Sequence, residues 1–309
     1  VSKKRFDYNY KPVIISAVMY SVLSIIIPLV AVMKLNPTSS VRISFMLFTE
    51  TTICLPFYLY NIHFRQLISN RKTVLKQWKF LILFQTPSVV HALSYIILSS
   101  MDRIMIGKMA GNAETGIYSL ATTIASVITI LSISANQVLK PWRYQKMEKH
   151  NYKIIRSTSN VLLVAFGVAI ILWVLVAPDI IHLLFPTDYY QAIWVIPPVS
   201  ISVFFVFLYS MFVDIEEYYY KTKYTMYATT ISAVANIIMN YFGIKLWGYI
   251  ACAYTTLICY ILLAILHLFW SNKASNNHGI HINQIFNIKY ICLLSFFLTI
   301  GGLLFILTY

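Results

Sequence analysis

Ionisable side chains inside long apolar stretches are the residues of this sequence most able to do chemistry. Glu50 lies within the segment Phe48–Thr52, and His91 and Asp102 share one apolar stretch further along, where Arg103 directly follows Asp102. An ionisable group in an apolar helix is costly unless it faces protein or water. Each of these residues is therefore a candidate for binding a proton, a cation or an anionic group.

Each candidate also has an interpretation that involves packing alone. Glu50 either binds a proton or a cation, or is neutral and hydrogen-bonded to a neighbouring helix. His91 and Asp102 are eleven residues apart, or three helical turns, so they project from one face of a helix. His91 fits a hydrogen-bonded packing residue better than a ligand. Asp102 and Arg103 either line a cavity open to the outside or belong to a salt bridge at the end of the bundle.

A second polar group ends a later apolar stretch, where Asn136 is followed by Lys140, Pro141 and Arg143. Because proline lacks the backbone N–H that a helix interior needs, we expect the helix to end at Pro141. The two cations could then hold the phosphates of a lipid headgroup. Alternatively, they follow only the general excess of Lys and Arg on the cytoplasmic side of membrane proteins.

Two further pairs have the i,i+4 spacing that places side chains next to each other on a helix. Asn236 and Asn240 share one buried face, suited to hydrogen bonds between helices or to a polar path. Glu217 and Lys221 form the other pair, for which a surface ion pair is the expected result.

Transmembrane helices are the elements that must position these residues. The sequence is 59% hydrophobic and 11% charged, with a mean hydropathy of +0.71, which excludes a soluble enzyme. We therefore predict an all-α polytopic transmembrane helix bundle. Apolar runs long enough to cross a bilayer as helices occur at about 12–33, 43–62, 80–106, 117–139, 157–177, 193–213, 224–243, 249–270 and 290–308, nine in all.

The charge distribution predicts the orientation of these spans. The net charge is +14, and most of the 24 Lys and Arg residues fall in alternate connecting segments, beginning with residues 1–11. The positive-inside rule places those segments, and with them the amino-terminal end, in the cytoplasm. The positive charge is therefore an orientation signal, and no nucleic-acid partner is expected.

The sequence contains no P-loop, no GxGxxG, no HExxH and no nucleophile elbow. The motifs that ATP hydrolysis, zinc-dependent proteolysis and catalysis by a serine nucleophile require are thus missing from the sequence. We expect a protein that is not an enzyme, has no catalytic residues, and binds no cofactor or structural metal. Any energy input must come from an ion gradient or from the gradient of the substrate.

Several segments in one order closely resemble bacterial oligosaccharide flippases. These are polysaccharide biosynthesis proteins of the multidrug/oligosaccharidyl-lipid/polysaccharide (MOP) exporter superfamily. The resemblance covers roughly residues 80–270, more than half of the chain. The segments that carry it are Leu98–Lys108, Gly116–Ala121, Lys140–Trp142, Tyr189–Pro198, Glu216–Lys221, the pair Asn236 and Asn240, and Gly248–Ala251.

The resemblance implies a two-lobe exporter of about twelve to fourteen helices arranged around a central cavity. Residues 1–62 would be the last two helices of the amino-terminal lobe, and 63–79 the basic cytoplasmic loop between the lobes. Residues 80–270 would form the six-helix carboxyl-terminal lobe, and 271–309 a loop and an additional transmembrane helix. On this basis the chain is expected to be a fragment that lacks the first helices.

The implied function is alternating access, which moves a polyprenyl-diphosphate-linked oligosaccharide across the bacterial cytoplasmic membrane for O-antigen, capsule or exopolysaccharide synthesis. Arg103 would attract the diphosphate, and Asp102 or Glu50 would carry a coupling cation, H+ or Na+. Membrane lipids and the polysaccharide polymerase machinery would be further partners. The alternatives are a multidrug/cation antiporter of the same superfamily and, less favoured, a membrane-embedded polysaccharide polymerase or acyltransferase.

Overall fold

A computed structural model of the chain describes residues 11–34, 38–61 and 71–308, and these residues are helical almost throughout. No strand occurs among them, so the all-α prediction is confirmed. A 3-10 helix, Thr187–Trp194, joins the fifth and sixth α-helices. In chain order the α-helices are α1 Lys11–Lys34, α2 Ser39–Asn61, α3 Arg71–Met109, α4 Asn112–Glu148, α5 Tyr152–Leu184, α6 Ile196–Tyr218, α7 Thr222–Trp247, α8 Ala251–Asn276, α9 Ile282–Ile285 and α10 Ile288–Thr308.

Each predicted span coincides with one long helix, and six of these helices are long and apolar enough to cross a membrane. They are α1, α3, α4, α5, α6 and α8. Helix α7 is too polar to meet the same criterion, Ile288–Gly302 of α10 is a shorter apolar stretch within the described residues, and the side chains of α2 are described only in part. The chain is a multi-pass membrane protein. The basic residues within 1–10, which weigh heavily in the predicted orientation, lie outside the described residues.

Most helices extend beyond the predicted spans, and two of these extensions change an earlier prediction. Residues 71–79, which the sequence assigned to the basic loop, already belong to α3. Most of them are Lys, Gln, Leu and Trp, whose helix propensities permit a helix. The prediction that α4 ends at Pro141 is wrong, because the helix continues through this proline to Glu148. The side chains on either side of Pro141 are held by ion pairs described below, which offset the lost backbone hydrogen bond.

The chain divides into two compact units, residues 1–80 and 81–309. In the first unit, α1 packs against α2. In the second unit, α6 packs against α4, α5 and α8, and α8 also packs against α7. Helix α6 is buried on nearly all sides, with Phe204, Phe207 and Phe212 in the core. Polar side chains on α6 must therefore find partners inside the protein.

Two tight turns bring polar residues of four helices to the same end of the second unit. Gly111, at φ +129°, precedes α4, and Gly248, at φ +79°, separates α7 from α8. Both glycines have the positive φ that other residues rarely adopt. Residues placed about two helical turns on either side of each glycine therefore lie at similar depth. A polar cluster occupies these positions.

Candidate functional site

A buried carboxylate without a cationic partner is the centre of the first polar cluster. Asp102 on α3 is only 4% exposed. Tyr118 on α4 donates a hydrogen bond to Asp102 Oδ2 over 2.5 Å, and Thr256 on α8 donates to the same oxygen over 3.3 Å. Within the described residues Asp102 Oδ1 is buried with no hydrogen-bond partner, and Asp102 forms no ion pair. This oxygen is a free buried acceptor.

Amide side chains of α7 extend the cluster. Asn236 Nδ2 donates to Thr256 Oγ1 over 3.1 Å, and Asn240 Nδ2 donates to Asn236 Oδ1 over 3.1 Å. The hydroxyl of Thr255 in turn donates to Asn240 Oδ1. Both asparagines are fully buried on one face of α7, and Asn236 bonds to α8, as expected for hydrogen bonds between helices; a polar path stays a prediction. We name Asp102, Tyr118, Asn236, Asn240, Thr255 and Thr256 the outer cluster, after the side of the membrane that the sequence predicts for it.

The outer cluster has the chemistry of a cation site. Its acceptors are carboxylate, amide and hydroxyl oxygens, which suit H+ or a hard cation such as Na+. No group of three or more His, Cys, Asp or Glu side chains that could hold a metal occurs in the part of the chain that the structure describes. The unpartnered Oδ1 of Asp102 is the atom at which a cation would satisfy both charge and coordination.

Close approach of α7 and α8 makes this cluster possible. Gly243 on α7 faces Thr255 and Ala251 at the start of α8. A Cβ atom at Gly243 would lie 3.2 Å from the Thr255 methyl carbon and 3.4 Å from the Ala251 Cβ. Small residues at such crossings let helices approach closely enough for hydrogen bonds between them.

Arg103 does not join the outer cluster, although it is adjacent in sequence to Asp102. Its side chain is exposed, and Nη2 donates to the Ser99 carbonyl over 3.4 Å and to Ser100 Oγ over 3.5 Å. Consecutive residues of a helix point about 100° apart, which separates the two side chains. The structure thus shows no salt bridge between Asp102 and Arg103. Attraction of a diphosphate by Arg103 stays a prediction.

A second polar cluster, the inner cluster, joins α4 to the end of α6. Arg143 is 1% exposed, and its Nε and Nη2 lie 2.8 and 2.6 Å from Asp214 Oδ2. Arg143 Nη2 also donates to Asn136 Oδ1 over 3.5 Å. Lys140 Nζ pairs with Glu217 and lies 3.8 Å from Asp214 Oδ1. Two cations therefore face two carboxylates, and the inner cluster is neutral as a whole.

This arrangement corrects one expected ion pair. Glu217 pairs with Lys140 on α4, not with Lys221. The helix α6 ends at Tyr218, and the chain then turns through Tyr220 at φ 57°, so the i,i+4 geometry is lost before Lys221. Just past this end, burial raises the pKa of Tyr219 to about 12. Its ring therefore stacks on His278 as a neutral phenol and adds no charge to the inner cluster.

The remaining predicted site residues lie elsewhere. His91 Nδ1 is 2.6 Å from Thr229 Oγ1 on α7, a hydrogen bond that fits the packing interpretation. Glu50 is exposed on α2 in the first unit. The structure therefore brings together Asp102, Asn236 and Asn240 in one place, and Asn136, Lys140 and Arg143 in another.

His267, Tyr118, Thr255 and Thr256 were not singled out from the sequence. His267 is fully buried in the middle of α8, inside a predicted span, and the rule that singled out His91 would also have found it. Tyr118 carries no such signal. An aromatic residue near the start of a span is ordinary, and only the tertiary structure shows its contact with Asp102.

Comparison with known proteins identifies the family. The MatE family model matches residues 87–242, just over half of the chain, and the family model for polysaccharide biosynthesis protein matches residues 4–145. The chain belongs to the MOP exporter superfamily. Both matched families consist of membrane transporters of this superfamily. The resemblance seen in the sequence is thereby confirmed.

One curated relative is described as an uncharacterized membrane protein of Haemophilus influenzae. It is 26% identical to this MOP-family chain over 117 residues, which are 37% of the chain and 28% of the relative. The matched part thus spans less than a third of that relative's length. No solved structure matches the chain.

Proposed function

We propose that the protein belongs to a flippase that moves polyprenyl-diphosphate-linked oligosaccharide across the bacterial cytoplasmic membrane. The match of residues 4–145 to the polysaccharide biosynthesis family carries this proposal. The amino-terminal end of this chain lies in the cytoplasm under this proposal.

The outer cluster supplies the coupling ion site of this flippase. Asp102 is the only member with a formal charge, and its Oδ1 is unpartnered among the described residues. A bound Na+ or H+ would neutralise this carboxylate in a medium where a bare charge is expensive. The oxygens around Asp102 come from α4, α7 and α8, so the ion would favour one arrangement of these helices over another. Such a preference is what couples binding to alternating access.

A multidrug/cation antiporter is the second candidate, and the MatE match over residues 87–242 favours it. The two candidates share the coupling ion and differ in the cargo. A cationic drug needs an acidic, aromatic cavity, whereas a diphosphate-linked lipid needs a basic one. A membrane-embedded polymerase or acyltransferase is a weaker third candidate, since neither matched family is one of enzymes.

The test measures how accessible the sugar headgroup of the lipid carrier is on each face of the membrane. Cells that lack the complete protein should accumulate the lipid-linked oligosaccharide with its headgroup inside, and the restored protein should move it outside. The D102N variant should fold and yet leave the headgroup inside. The matched control is D179N, which changes an exposed aspartate near the end of α5.

Two results decide between the candidates. Unchanged headgroup distribution in cells that lack the protein would contradict the flippase. Efflux of cationic dyes that disappears in the same cells would then support the antiporter.

A further inference from the structure

A second buried carboxylate of α6 faces a buried histidine. Glu216 Oε1 lies 3.0 Å from His267 Nδ1 on α8, and Thr225 of α7 donates to Glu216 Oε2 over 2.8 Å. Glu216 and His267 are both fully buried. The pair therefore joins α6 to α8 at the end of the second unit where α6 stops, two residues before its last residue.

The hydrogen bonds of this pair differ from those of a fixed ion pair. Arg143 presents two N–H groups to Asp214, whereas His267 presents a single nitrogen to Glu216. Within the described residues, His267 Nε2 is buried without a hydrogen-bond partner. An imidazolium needs an acceptor at both nitrogens, so nothing fixes His267 in its charged form. The pair can therefore hold either no proton or one proton that lies between Oε1 and Nδ1.

Aromatic rings and a second histidine surround this pair. The ring of His91 stands edge-on to His267 with centroids 6.3 Å apart, and that of Tyr209 stacks on His267 at 5.3 Å. A second positive charge beside His267 would be repelled by the first. Helix α7 places the hydroxyls of Thr225 and Thr229 beside Glu216 and His91, and Lys221 and Lys223 lie at the start of this helix. The titratable and charged groups in contact with the pair or with its direct neighbours are His91 and Tyr95 of α3, Lys140, Arg143 and Tyr144 of α4, Tyr209, Asp214 and Glu217 of α6, and Tyr260 of α8.

A layer of tyrosines separates the pair from the outer cluster. Tyr95 lies between Tyr209 and Tyr260, with ring centroids 6.3 and 6.5 Å away. On α8, His267 follows Thr256 of the outer cluster by three helical turns, or about 16 Å along the axis. The pair is therefore distinct from Asp102 and from its ion site.

We propose that Glu216 and His267 form one shared proton-binding site at the end of the second unit opposite to Asp102. The unprotonated pair consists of the Glu216 carboxylate and a neutral His267, with a net charge of −1. Uptake of one proton makes the pair neutral and leaves the Oε1 to Nδ1 hydrogen bond in place. The site does not depend on the cargo.

Counting protons tests this proposal on the purified chain in lipid nanodiscs. An indicator dye reports proton uptake as the pH is lowered from about 8 to about 5, the range around neutrality in which histidine side chains generally change charge. The E216Q variant should take up one proton fewer than the unmodified chain. The double variant E216Q/H267Q should lose the same single proton, because the two groups share it. The control E148Q changes an exposed glutamate and should take up as many protons as the unmodified chain.

Two outcomes overturn the proposal. Proton uptake by E216Q equal to that of the unmodified chain would show a fixed pair. A loss of two protons in the double variant would show two independent groups.

A milder variant protects the test against misfolding. T225V keeps the shape of Thr225 and removes its hydrogen bond to the carboxylate. The unprotonated form of the pair is therefore destabilised. The midpoint of proton uptake should rise by about one pH unit. T230V, on the same helix, removes a hydroxyl that contacts Ser94 and should leave the midpoint unchanged. An unchanged midpoint in T225V would overturn the proposal.

Discussion

The outer and inner clusters solve the same physical problem in opposite ways. Each contains a carboxylate that is 4% exposed, Asp102 in one and Asp214 in the other. Asp214 receives two N–H groups of Arg143 and has Lys140 nearby, so its charge is balanced by the protein. Asp102 receives only hydroxyl hydrogen bonds and keeps one oxygen without a partner among the described residues.

This difference separates a carboxylate balanced by the protein from one that is not. A carboxylate with a built-in cation needs no ligand, and a mobile cation gains little by binding there. A buried carboxylate with only neutral partners is costly until a cation or a proton arrives. The inner cluster therefore fixes α4 to α6, whereas we propose that the outer cluster binds a coupling ion.

The largest effect is expected from removing the arginine of the inner cluster. R143M leaves the Asp214 carboxylate buried without its main partner and should lower the free energy of unfolding by about 3–5 kcal/mol. The double variant R143M/D214L replaces the pair by apolar groups and should recover most of this loss. Denaturant titration in mixed micelles measures both. A double variant as unstable as R143M would show that Asp214 is not what Arg143 stabilises.

Neutralising the outer cluster should affect transport more than stability. D102N keeps an oxygen for Tyr118 and Thr256 and removes a charge that no protein cation balances, so unfolding should change by less than about 1 kcal/mol. Loss of the coupling ion should slow headgroup translocation about 10- to 100-fold, the size of a typical coupling free energy. Parallel assays of unfolding and of translocation check this. Strong destabilisation with normal residual transport would contradict it.

A smaller effect is expected at the crossing of α7 and α8. Glycine to alanine in a helix gains up to about 1 kcal/mol, and G116A should show this gain because nothing lies within 4 Å of the new Cβ. In G243A the new methyl group would lie 3.2 Å from the Thr255 methyl carbon. The free energy of unfolding should therefore be about 1 kcal/mol lower in G243A than in G116A. Equal stabilities would show that α7 and α8 have room to separate.

The smallest effect is expected from the partly exposed lysine of the inner cluster. Lys140 has a side chain that is 35% exposed, and its partner Glu217 is 27% exposed. Such pairs contribute little because water screens them, so K140M should lower the free energy of unfolding by less than about 1 kcal/mol. The measurement is the same denaturant titration. A loss as large as that of R143M would place Lys140 among the buried structural charges.

The sequence alone predicts where the helices lie, but it does not predict which side chains of different helices contact each other. Apolar runs located every long helix, because the thickness of the bilayer sets their length. The spacing of Asn236 and Asn240 predicted a shared buried face, because the period of a helix fixes it. The path of α4 through Pro141 was not predictable, since it depends on ion pairs with residues more than 70 positions away in sequence. The hydrogen bonds of Asp102 were likewise not predictable, since their donors Tyr118 and Thr256 lie on other helices.

The central claim is that Asp102 binds the ion that drives transport. The most direct measurement is headgroup translocation in proteoliposomes of the complete protein under an imposed Na+ gradient or an imposed proton gradient, with the D102N and D179N variants alongside. We expect one of the two gradients to accelerate translocation by the unmodified protein and by D179N, and neither gradient to accelerate D102N. A D102N protein that responds to the gradient as strongly as the unmodified protein would contradict the account.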